Sequence, residues 1–292
     1  MLKALLLAAV VAIPAPRVQA TIPVGGQPTW LAAAAGSLWV ANYGSSELER
    51  IDPGTKTVRA RIRLDVTPYA VSLGAGSVWV SSFGSSTLTR VDPATGKIVA
   101  RIDVGTTEQA GVLATASAVW VALYGSGEVA RIDPATNQVA ARIKLGGNPE
   151  DAVLFAGSLW VPNENGTLAR LDPASGRLLA RVRVGADPDN AIACRGLVWT
   201  TALHGNQLVA VSPATNRVAK RVGVGSGSVG LACGRSLWTA SYDRGVVMRV
   251  DPVRGRVTAQ RAVGSQSRAV LLGWGSVWVA NQASGTVVRL AL

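Results

Sequence analysis

The sequence predicts an all-β protein, a seven-bladed β-propeller with four antiparallel strands in each blade. Tryptophan recurs at a near-constant spacing, and each interval between tryptophans contains four short β-type runs. The gaps between successive tryptophans are 40, 41, 40, 39, 39 and 40 residues. A period near 40 is typical of repeats that each form one supersecondary unit. The seven tryptophans are Trp39, Trp79, Trp120, Trp160, Trp199, Trp238 and Trp278.

One repeat shows the four runs and the turns between them. Residues 69–73 and 77–81 are rich in apolar and β-branched residues, and residues 87–91 and 97–104 alternate with period two. Asp92-Pro93-Ala94-Thr95-Gly96 separates the last two runs. Asp accepts a local backbone hydrogen bond, Pro pre-sets φ and Gly tolerates positive φ, so this segment is a turn. Four short strands without helical periodicity indicate one propeller blade.

The ends of the chain predict how the ring closes. The seventh repeat stops after its third strand, at residues 286–292, and lacks a fourth. Residues 17–25 match the pattern of residues 97–105, which form the fourth run of the second repeat. We therefore expect the N-terminal segment to complete the last blade, because closure leaves no blade face bare.

The repeat resembles a known family of propellers. Gly36-Ser37-Leu38-Trp39-Val40-Ala41-Asn42, followed by Arg50-Ile51-Asp52-Pro53, is similar to the YVTN-type β-propeller repeat. The resemblance covers essentially the whole chain after its first residues. It implies a surface, periplasmic or secreted binding protein. The chain also resembles the virginiamycin B (streptogramin B) lyase family, which implies a seven-bladed propeller with a similar tryptophan strand.

The lyase resemblance does not extend to that family's catalytic pair. It implies a His after the Pro that opens an inner strand and a Glu three residues after the strand Trp. The first position holds Thr29, Tyr69, Ala110, Glu150, Asp189, Ser228 and Arg268, and the second holds Asn42, Ser82, Leu123, Asn163, Ala202, Ser241 and Asn281. The sequence therefore offers no candidate catalytic residue by this comparison.

The beginning of the chain predicts export. Met1-Leu2-Lys3 followed by apolar residues 4–13 has the pattern of a signal peptide, predicted over residues 1–20, with the propeller over 21–292. Cleavage after Ala20 would remove half of the closing strand, so cleavage near Ala15 remains an alternative. The apolar stretch is too short to span a membrane. We expect a secreted, periplasmic or cell-surface protein.

The strongly basic composition is interpreted as protection of blade edges. The formal net charge is +12. Many arginines fall in the fourth runs, at the outer blade edge, where charge blocks strand addition by other chains. The basic residues form no clustered stripe with interleaved aromatics, so nucleic-acid or polyanion binding is the weaker alternative. The fourth-run arginines include Arg59, Arg61, Arg63, Arg101, Arg142, Arg181, Arg183 and Arg221.

The two cysteines occupy equivalent positions in neighbouring blades. Cys194 and Cys233 each stand five residues before a tryptophan. In an exported protein such a pair suggests a disulfide. Equivalent positions on adjacent inner strands could also exceed the ~7 Å Cα separation that a disulfide allows. Both a disulfide and two small buried thiols remain open at this stage.

Two rings of loop residues are predicted on one face of the propeller, over its central channel. Loops on a rigid framework vary freely, so binding sites concentrate there. All four tyrosines and one of the two phenylalanines fall in these rings. The candidates at the inner-strand entrances are Trp30, Tyr69, Glu150, Asp151, Asp189, Asn190 and Arg268. Those four residues after a tryptophan are Tyr43, Phe83, Tyr124, Glu164, Tyr242 and Gln282, together with His204.

The charges of the candidate residues are unevenly distributed around the ring. Blades four and five contribute Glu150, Asp151, Glu164, Asp187 and Asp189, whereas blades six and seven contribute Arg244 and Arg268. An acidic side facing a basic side suits a zwitterion, a peptide or a cation, including Ca²⁺ or Mg²⁺ at the acidic cluster. Ordinary solvated loop acids are the alternative explanation.

Two functions from different classes remain after this reading. The first is a non-enzymatic, exported, monomeric module that binds a protein, a peptide or a small polar ligand without an obligatory cofactor. The second is a lyase or hydrolase that uses acidic loop residues, since paired carboxylates serve as acid and base when their pKa values are pushed apart. Missing catalytic residues and the single His favour the first.

Overall fold

The computed structural model describes residues 14–292, and these form seven four-stranded antiparallel sheets arranged as the blades of a propeller. The predicted fold class is therefore confirmed. In blades 1 to 6 the strands run in chain order from an inner strand at the channel to an outer strand at the periphery, whereas the outer strand of blade 7 comes from the N-terminus. Residues 1–13, which hold most of the predicted signal peptide, lie outside the described residues.

The strands are numbered in chain order. Blade 1 contains β2 (Pro28–Ala34), β3 (Ser37–Asn42), β4 (Glu47–Asp52) and β5 (Thr57–Arg63); blade 2 contains β6 (Pro68–Gly74), β7 (Ser77–Ser82), β8 (Thr87–Val91) and β9 (Ile98–Asp103); blade 3 contains β10 (Gln109–Ala114), β11 (Val119–Leu123), β12 (Glu128–Asp133) and β13 (Gln138–Lys144). Blade 4 contains β14 (Val153–Phe155), β15 (Ser158–Asn163), β16 (Thr167–Leu171) and β17 (Leu178–Arg183); blade 5 contains β18 (Ala191–Cys194), β19 (Leu197–Ala202), β20 (Gln207–Ser212) and β21 (Arg217–Gly223). Blade 6 contains β22 (Ser228–Cys233), β23 (Leu237–Ser241), β24 (Val246–Asp251) and β25 (Arg256–Ala262); blade 7 contains β26 (Ser267–Gly273), β27 (Ser276–Asn281), β28 (Thr286–Ala291) and the N-terminal β1 (Val18–Pro23). Short 3₁₀ turns follow β3 and β11, at Tyr43–Ser45 and Tyr124–Ser126.

The N-terminal strand closes the ring as the sequence predicted. Strand β1 pairs antiparallel with β28, with Val18 opposite Leu290 and Pro23 opposite Thr286. The amide of Val24 extends the ladder by donating to the carbonyl of Gly285 over 3.0 Å. The paired strand begins before Ala20, so cleavage after Ala20 would remove its first half. The cleavage position remains a prediction.

The repeated tryptophans fill the space between blades. All seven are at most 2% exposed and lie in clusters of aliphatic residues contributed by adjacent sheets. A large ring in the middle of each second strand buries a large apolar surface among the aliphatic side chains of neighbouring blades. Packing therefore accounts for the period.

An arginine of the third strand covers the tryptophan in six blades. Guanidinium-to-ring distances range from 4.9 Å for Arg90 over Trp79 to 5.9 Å for Arg50 over Trp39. Arg90 also donates from Nη1 to the carbonyl of Pro134 in the next blade, over 2.7 Å. The same contact to the next blade's turn proline recurs for Arg50, Arg170 and Arg289. These arginines therefore connect blades as well as shielding the rings.

The outer-strand arginines also make specific contacts between blades. Arg142 donates from Nη2 to the carbonyl of Val104 at the end of the preceding blade's outer strand, over 2.7 Å. Arg101, Arg181 and Arg221 make the equivalent contact with their own preceding blades. Their role thus exceeds the edge protection expected from the sequence, because they also connect the outer strands of neighbouring blades.

Cys194 and Cys233 form a disulfide between the ends of the inner strands of blades 5 and 6. Their Cα atoms are 5.7 Å apart, which lies within the ~7 Å limit for bridging. The disulfide therefore cross-links two consecutive blades at their inner strands, in addition to the chain connection between β21 and β22. Within residues 14–292, no helix is long and apolar enough to cross a membrane.

Candidate functional site

The two predicted loop rings are joined by a repeated backbone hydrogen bond. The amide of Tyr43, four residues after Trp39, donates to the carbonyl of Gln27 over 3.0 Å. Equivalent bonds run from Phe83, Glu164, Leu203, Tyr242 and Gln282 to the entrance loops of their own blades. Both rings therefore lie on the same face of the propeller, at the channel mouth.

A cavity of about 390 Å³ opens at this face. Its volume falls in the range common for small-molecule sites. Seven of its lining residues belong to the two rings predicted from the sequence: Tyr43, Tyr69, Phe83, Tyr124, Glu150, Arg268 and Gln282. Thr29, at an inner-strand entrance, completes the lining. We call this cavity the mouth cavity.

Three aromatic rings form one wall of the mouth cavity. The ring centroids of Tyr69 and Phe83 are 5.7 Å apart with planes inclined by 35°, and those of Phe83 and Tyr124 are 6.2 Å apart with planes inclined by 61°. Because each plane is tilted against the next, the wall is curved. Tyr69 and Phe83 belong to blade 2 and Tyr124 to blade 3, and all three rings are partly exposed.

Arg268 stands between the aromatic wall and the acidic residues. Its guanidinium lies 5.0 Å from the ring centroid of Tyr69, and Nη2 donates to the Tyr69 hydroxyl. Burial alone would lower the pKa of Arg268, but Tyr69, Asp189 and Glu150 around it raise the pKa above its ordinary value. The side chain is therefore a fixed cation. Its buried Nε has no hydrogen-bond partner among residues 14–292.

Glu150 is the acidic residue that lines the mouth cavity. Burial, reinforced by repulsion from Asp189, raises the pKa of Glu150 to about 9. Burial likewise raises the pKa of Asp189 above its usual range, although Arg268 opposes the shift. The pair therefore retains a proton at neutral pH. Gly111 permits this arrangement, because a Cβ there would lie 2.7 Å from both Asp151 Oδ1 and the carbonyl oxygen of Glu150.

A second acidic residue stands behind the aromatic wall. Glu164 Oε2 accepts a hydrogen bond from the Tyr124 hydroxyl over 2.8 Å and another from Asn148 Nδ2 over 2.9 Å. Burial and this carboxylate acceptor raise the pKa of Tyr124 to about 12. Tyr124 is thus a neutral donor oriented by Glu164. The sequence reading missed Asn148, whose place two residues before Glu150 in the entrance loop was the available signal.

A second cavity adjoins the first on the side of blades 5 and 6. Its volume is about 590 Å³, and Arg268 lines both cavities. Its walls include Asp189, His204 and Tyr242 from the predicted set, and Asp243 and Ser226, which the sequence reading did not single out. The exposed His204 contacts the carboxylate of Asp187 at the rim. We call this the side cavity.

Besides Glu164, three predicted residues lie outside the lining of both cavities. Trp30 packs partly buried against the hydrophobic clusters between blades. Asp151 Oδ2 accepts from the amide of Ala191 over 3.1 Å, and burial raises the pKa of Asp151 to about 7. Asn190 donates from Nδ2 to Asp189 Oδ1 over 2.6 Å. These residues therefore position their neighbours.

The basic side of the mouth differs from the expected arrangement. Arg268 faces the acids, but Arg244 turns outward and donates to the carbonyl of Val224 over 3.4 Å and to Gln260 Oε1 over 3.0 Å. Arg244 thereby makes the contact of blade 6 with the preceding blade, because the outer strand of blade 6 has Gln260 at the position of Arg142, Arg181 and Arg221 in blades 3, 4 and 5. The expectation that both arginines face the acidic residues was wrong for Arg244.

No group of three or more His, Cys, Asp or Glu side chains in the described part of the chain is arranged to hold a metal ion. Glu150, Asp189 and Glu164 are oxygen donors on the same face, so a Ca²⁺ or Mg²⁺ site there remains a prediction from the sequence.

The fold and site define a seven-bladed β-propeller with an aromatic and acidic channel mouth. No protein-family model matches the sequence, and a comparison with curated proteins found no match. Among solved structures, the chain is similar to Kuenenia stuttgartiensis hydrazine synthase, with a TM-score of 0.81 and 16% identity over 91% of this chain and 96% of that chain. At this identity the likeness supports the propeller fold alone.

Proposed function

We propose that the protein is a non-enzymatic binding module whose ligand site is the mouth cavity. The observation that carries the proposal is the composition of this cavity, in which aromatic rings, a carboxyl group and an arginine converge on about 390 Å³ at the channel. Apolar walls with a few convergent polar groups are characteristic of ligand sites. The ligand is a small polar molecule or a peptide segment that enters from the loop face.

We further propose that the protein works outside the cytoplasm. The apolar N-terminal segment has the pattern of a signal peptide. The disulfide between Cys194 and Cys233 is compatible with an oxidising compartment. In such a compartment the YVTN-like repeat would present the mouth cavity to extracellular or periplasmic ligands. Mass analysis of the exported protein gives the cleavage position and tests this proposal.

A thermal-shift screen tests the binding function. A ligand that binds the native state raises the apparent stability. The screen covers divalent metals, peptides, glycans, amines and carboxylic acids, and each hit is repeated with the Phe83→Ala and Glu150→Gln variants. We expect at least one hit that both variants weaken. Hits that neither variant affects would place binding elsewhere and contradict the assignment to the mouth cavity.

One observation favours an enzymatic alternative. Glu150 has a strongly raised pKa beside a second carboxyl group, which is an arrangement suited to a general acid. In this alternative Glu150 protonates a leaving group in the mouth cavity while Asp189 acts as its partner. Turnover of any screened ligand, lost in Glu150→Gln and in Asp189→Asn, would support this alternative over simple binding.

A further inference from the structure

We infer that the mouth cavity binds a small organic cation, with its ammonium group held between the aromatic wall and Glu150. This inference rests on the proposed function and specifies the ligand class for the same site. It depends on the shape of the wall, on the balance of charges and on how the charged residues of the site are already paired.

The aromatic wall offers π faces to a cation. The faces of aromatic rings carry negative potential, and rings arranged at angles to each other enclose quaternary ammonium groups in proteins. Tyr69, Phe83 and Tyr124 are inclined successively by 35° and 61°, and Tyr43 also lines the cavity. The protein's own cation already uses this wall, since the Arg268 guanidinium lies 5.0 Å from the Tyr69 ring centroid.

The acidic residues at the mouth outnumber the cations. Glu150 lines the cavity, and Asp189 and Glu164 lie beside it, whereas Arg268 is the one basic side chain in its lining among residues 14–292. Glu164 receives hydrogen bonds from neutral donors, the Tyr124 hydroxyl and Asn148 Nδ2, so its negative charge is not compensated. With all three carboxylates ionised the group would carry two excess negative charges, which an ammonium ion would reduce.

The pairing of Arg268 argues against an anionic ligand. Its guanidinium lies on the Tyr69 ring and donates to the Tyr69 hydroxyl, and the charges of Asp189 and Glu150 act on it from nearby. An anion would have to approach past these carboxyl groups.

A polar acceptor at the opposite side of the cavity adds to the cation site. Gln282 lines the mouth cavity, and its buried Oε1 has no hydrogen-bond partner within residues 14–292. A buried acceptor without a donor is costly. An N–H of an ammonium ligand, or a hydroxyl attached to its chain, would satisfy this oxygen.

Binding of a cation is expected to release a proton. Glu150 retains its proton because burial and Asp189 disfavour the second negative charge. A bound ammonium group supplies the missing positive charge, so the carboxyl ionises as the ligand enters. Affinity should then rise with pH until the carboxyl is ionised in the free protein. The charged and titratable groups that face Glu150 are Asp151, Glu164, Asp189, Arg268, Tyr69 and Tyr124.

Isothermal titration calorimetry of the full chain tests the inference with two matched pairs of probes. Choline is compared with its uncharged isostere 3,3-dimethylbutan-1-ol, and n-pentylamine with n-pentanol. We expect at least one cation to bind at least ~10-fold more tightly than its uncharged partner, because a cation over aromatic faces gains ~1–2 kcal/mol when desolvated. Equal affinity within both pairs, or no binding of either cation, would overturn the inference.

Three variants assign the effect to the residues named. Glu150→Gln should weaken the cation by at least ~10-fold and abolish the proton release, measured in two buffers of different ionisation enthalpy. Phe83→Leu keeps apolar bulk but removes a π face, and should weaken the cation while leaving the uncharged isostere unchanged. Glu47→Gln, a change of the same type in strand β4 outside both cavities, should leave both unchanged. Intrinsic fluorescence confirms that each variant is folded.

The outcomes separate this inference from the proposed function. If the thermal-shift screen yields a neutral or anionic ligand that depends on Phe83 and Glu150 while both cations fail to bind, the binding function stands and the cation assignment falls. If the cations bind and Glu150→Gln or Phe83→Leu weakens them, both are supported. Cation binding that neither variant alters would overturn the placement in the mouth cavity.

Discussion

The second strands and the channel mouth are built by the same seven repeats, but their residues vary in opposite ways. Each second strand places a tryptophan at the same position, and all seven rings are buried. The seven inner-strand entrances hold seven different residues, among them Tyr69, Glu150 and Arg268. Packing between blades requires the same large side chain in every blade. A ligand at the channel axis can contact several blades at once, so each blade can contribute a different residue. The comparison shows that departure from symmetry marks the candidate site.

The largest expected effect comes from removing a repeated tryptophan. Trp160 is fully buried, and its Nε1 donates to the carbonyl of Phe155 over 3.2 Å. We expect Trp160→Ala to lower the free energy of unfolding by ~3–5 kcal/mol, because it leaves a cavity between blades. Urea denaturation measures the change. Phe83→Ala, at the partly exposed mouth, is the comparison. An equal loss of stability in both variants would contradict the view that the tryptophans stabilise the fold while the mouth residues serve binding.

The disulfide ranks next. It links Cys194 and Cys233 across 39 residues of sequence. Replacing both cysteines by serine is expected to cost ~2–4 kcal/mol of stability through the greater freedom of the unfolded chain. Denaturation of the variant and of the wild type under reducing conditions should agree. Ligand affinity at the mouth should not change, and a marked loss of affinity would show that the inner strands of blades 5 and 6 control the site.

The mouth itself should show a pH dependence that the tryptophan strands lack. The pKa of Glu150 is raised from 4.5 to about 9 in the folded protein. Protonation therefore stabilises the fold fully below the unfolded pKa, and this stability is lost as pH rises through about 9. Between pH 5 and 9 the wild type should steadily lose stability relative to Glu150→Gln, because each pH unit between the unfolded and folded pKa values changes the free energy of unfolding by at most ~1.4 kcal/mol.

Urea titrations at pH 5, 7 and 9 measure this difference, and the comparison between variants cancels the titration of the rest of the chain. Glu47→Gln serves as the control and should keep the wild-type slope. Parallel slopes for wild type and Glu150→Gln would contradict the shifted pKa.

The smallest effect is expected from removing one of the third-strand arginines that cover the tryptophans. Arg90 lies 4.9 Å from the Trp79 ring centroid and donates to the carbonyl of Pro134. Arg90→Met keeps the apolar stem and should cost ~1 kcal/mol, since exposed cation–π contacts contribute 0.5–1 kcal/mol. Thermal denaturation at low and high salt measures it. In blade 5 the residue opposite Trp199 is Ala210, so the propeller already tolerates one tryptophan without an arginine over it.

Most of the architecture could be predicted because the same pattern of strands and turns recurs seven times in the sequence. Blade number, strand order and closure by residues 17–25 all follow from aligning copies, and the structure confirms them. The two loop rings could be predicted as well, since propeller loops alternate between faces. Of the predicted candidates, those that line the cavities stand at the entrance residue itself or four residues after a tryptophan, apart from His204, which follows Trp199 by five.

The orientation of single side chains could not be predicted. Trp30, Asp151 and Asn190 each follow an entrance residue by one position. Trp30 lies within strand β2, where neighbouring residues point to opposite sides, whereas Asp151 and Asn190 precede their strands. The ladder between β2 and β3 is irregular between Pro28 and Trp30, and such a bulge changes which residue points where. Repeat alignment contains no signal for that local change. The orientation of Arg244 could not be predicted either. Arg244 turns toward Gln260 and Val224 because blade 6 lacks an outer-strand arginine there, and this contact is visible only in the structure.

The seam between β1 and β28 has a consequence for how the protein is made. Val18 pairs with Leu290, so the strand that is synthesised early waits for a partner that emerges after six blades have been completed. A chain interrupted before Thr286 leaves two sheet edges unpaired, and such edges recruit other chains or expose the polypeptide to proteases. Pairing of β1 with β28 is therefore possible only once the last blade has been synthesised, so a shortened chain keeps exposed sheet edges.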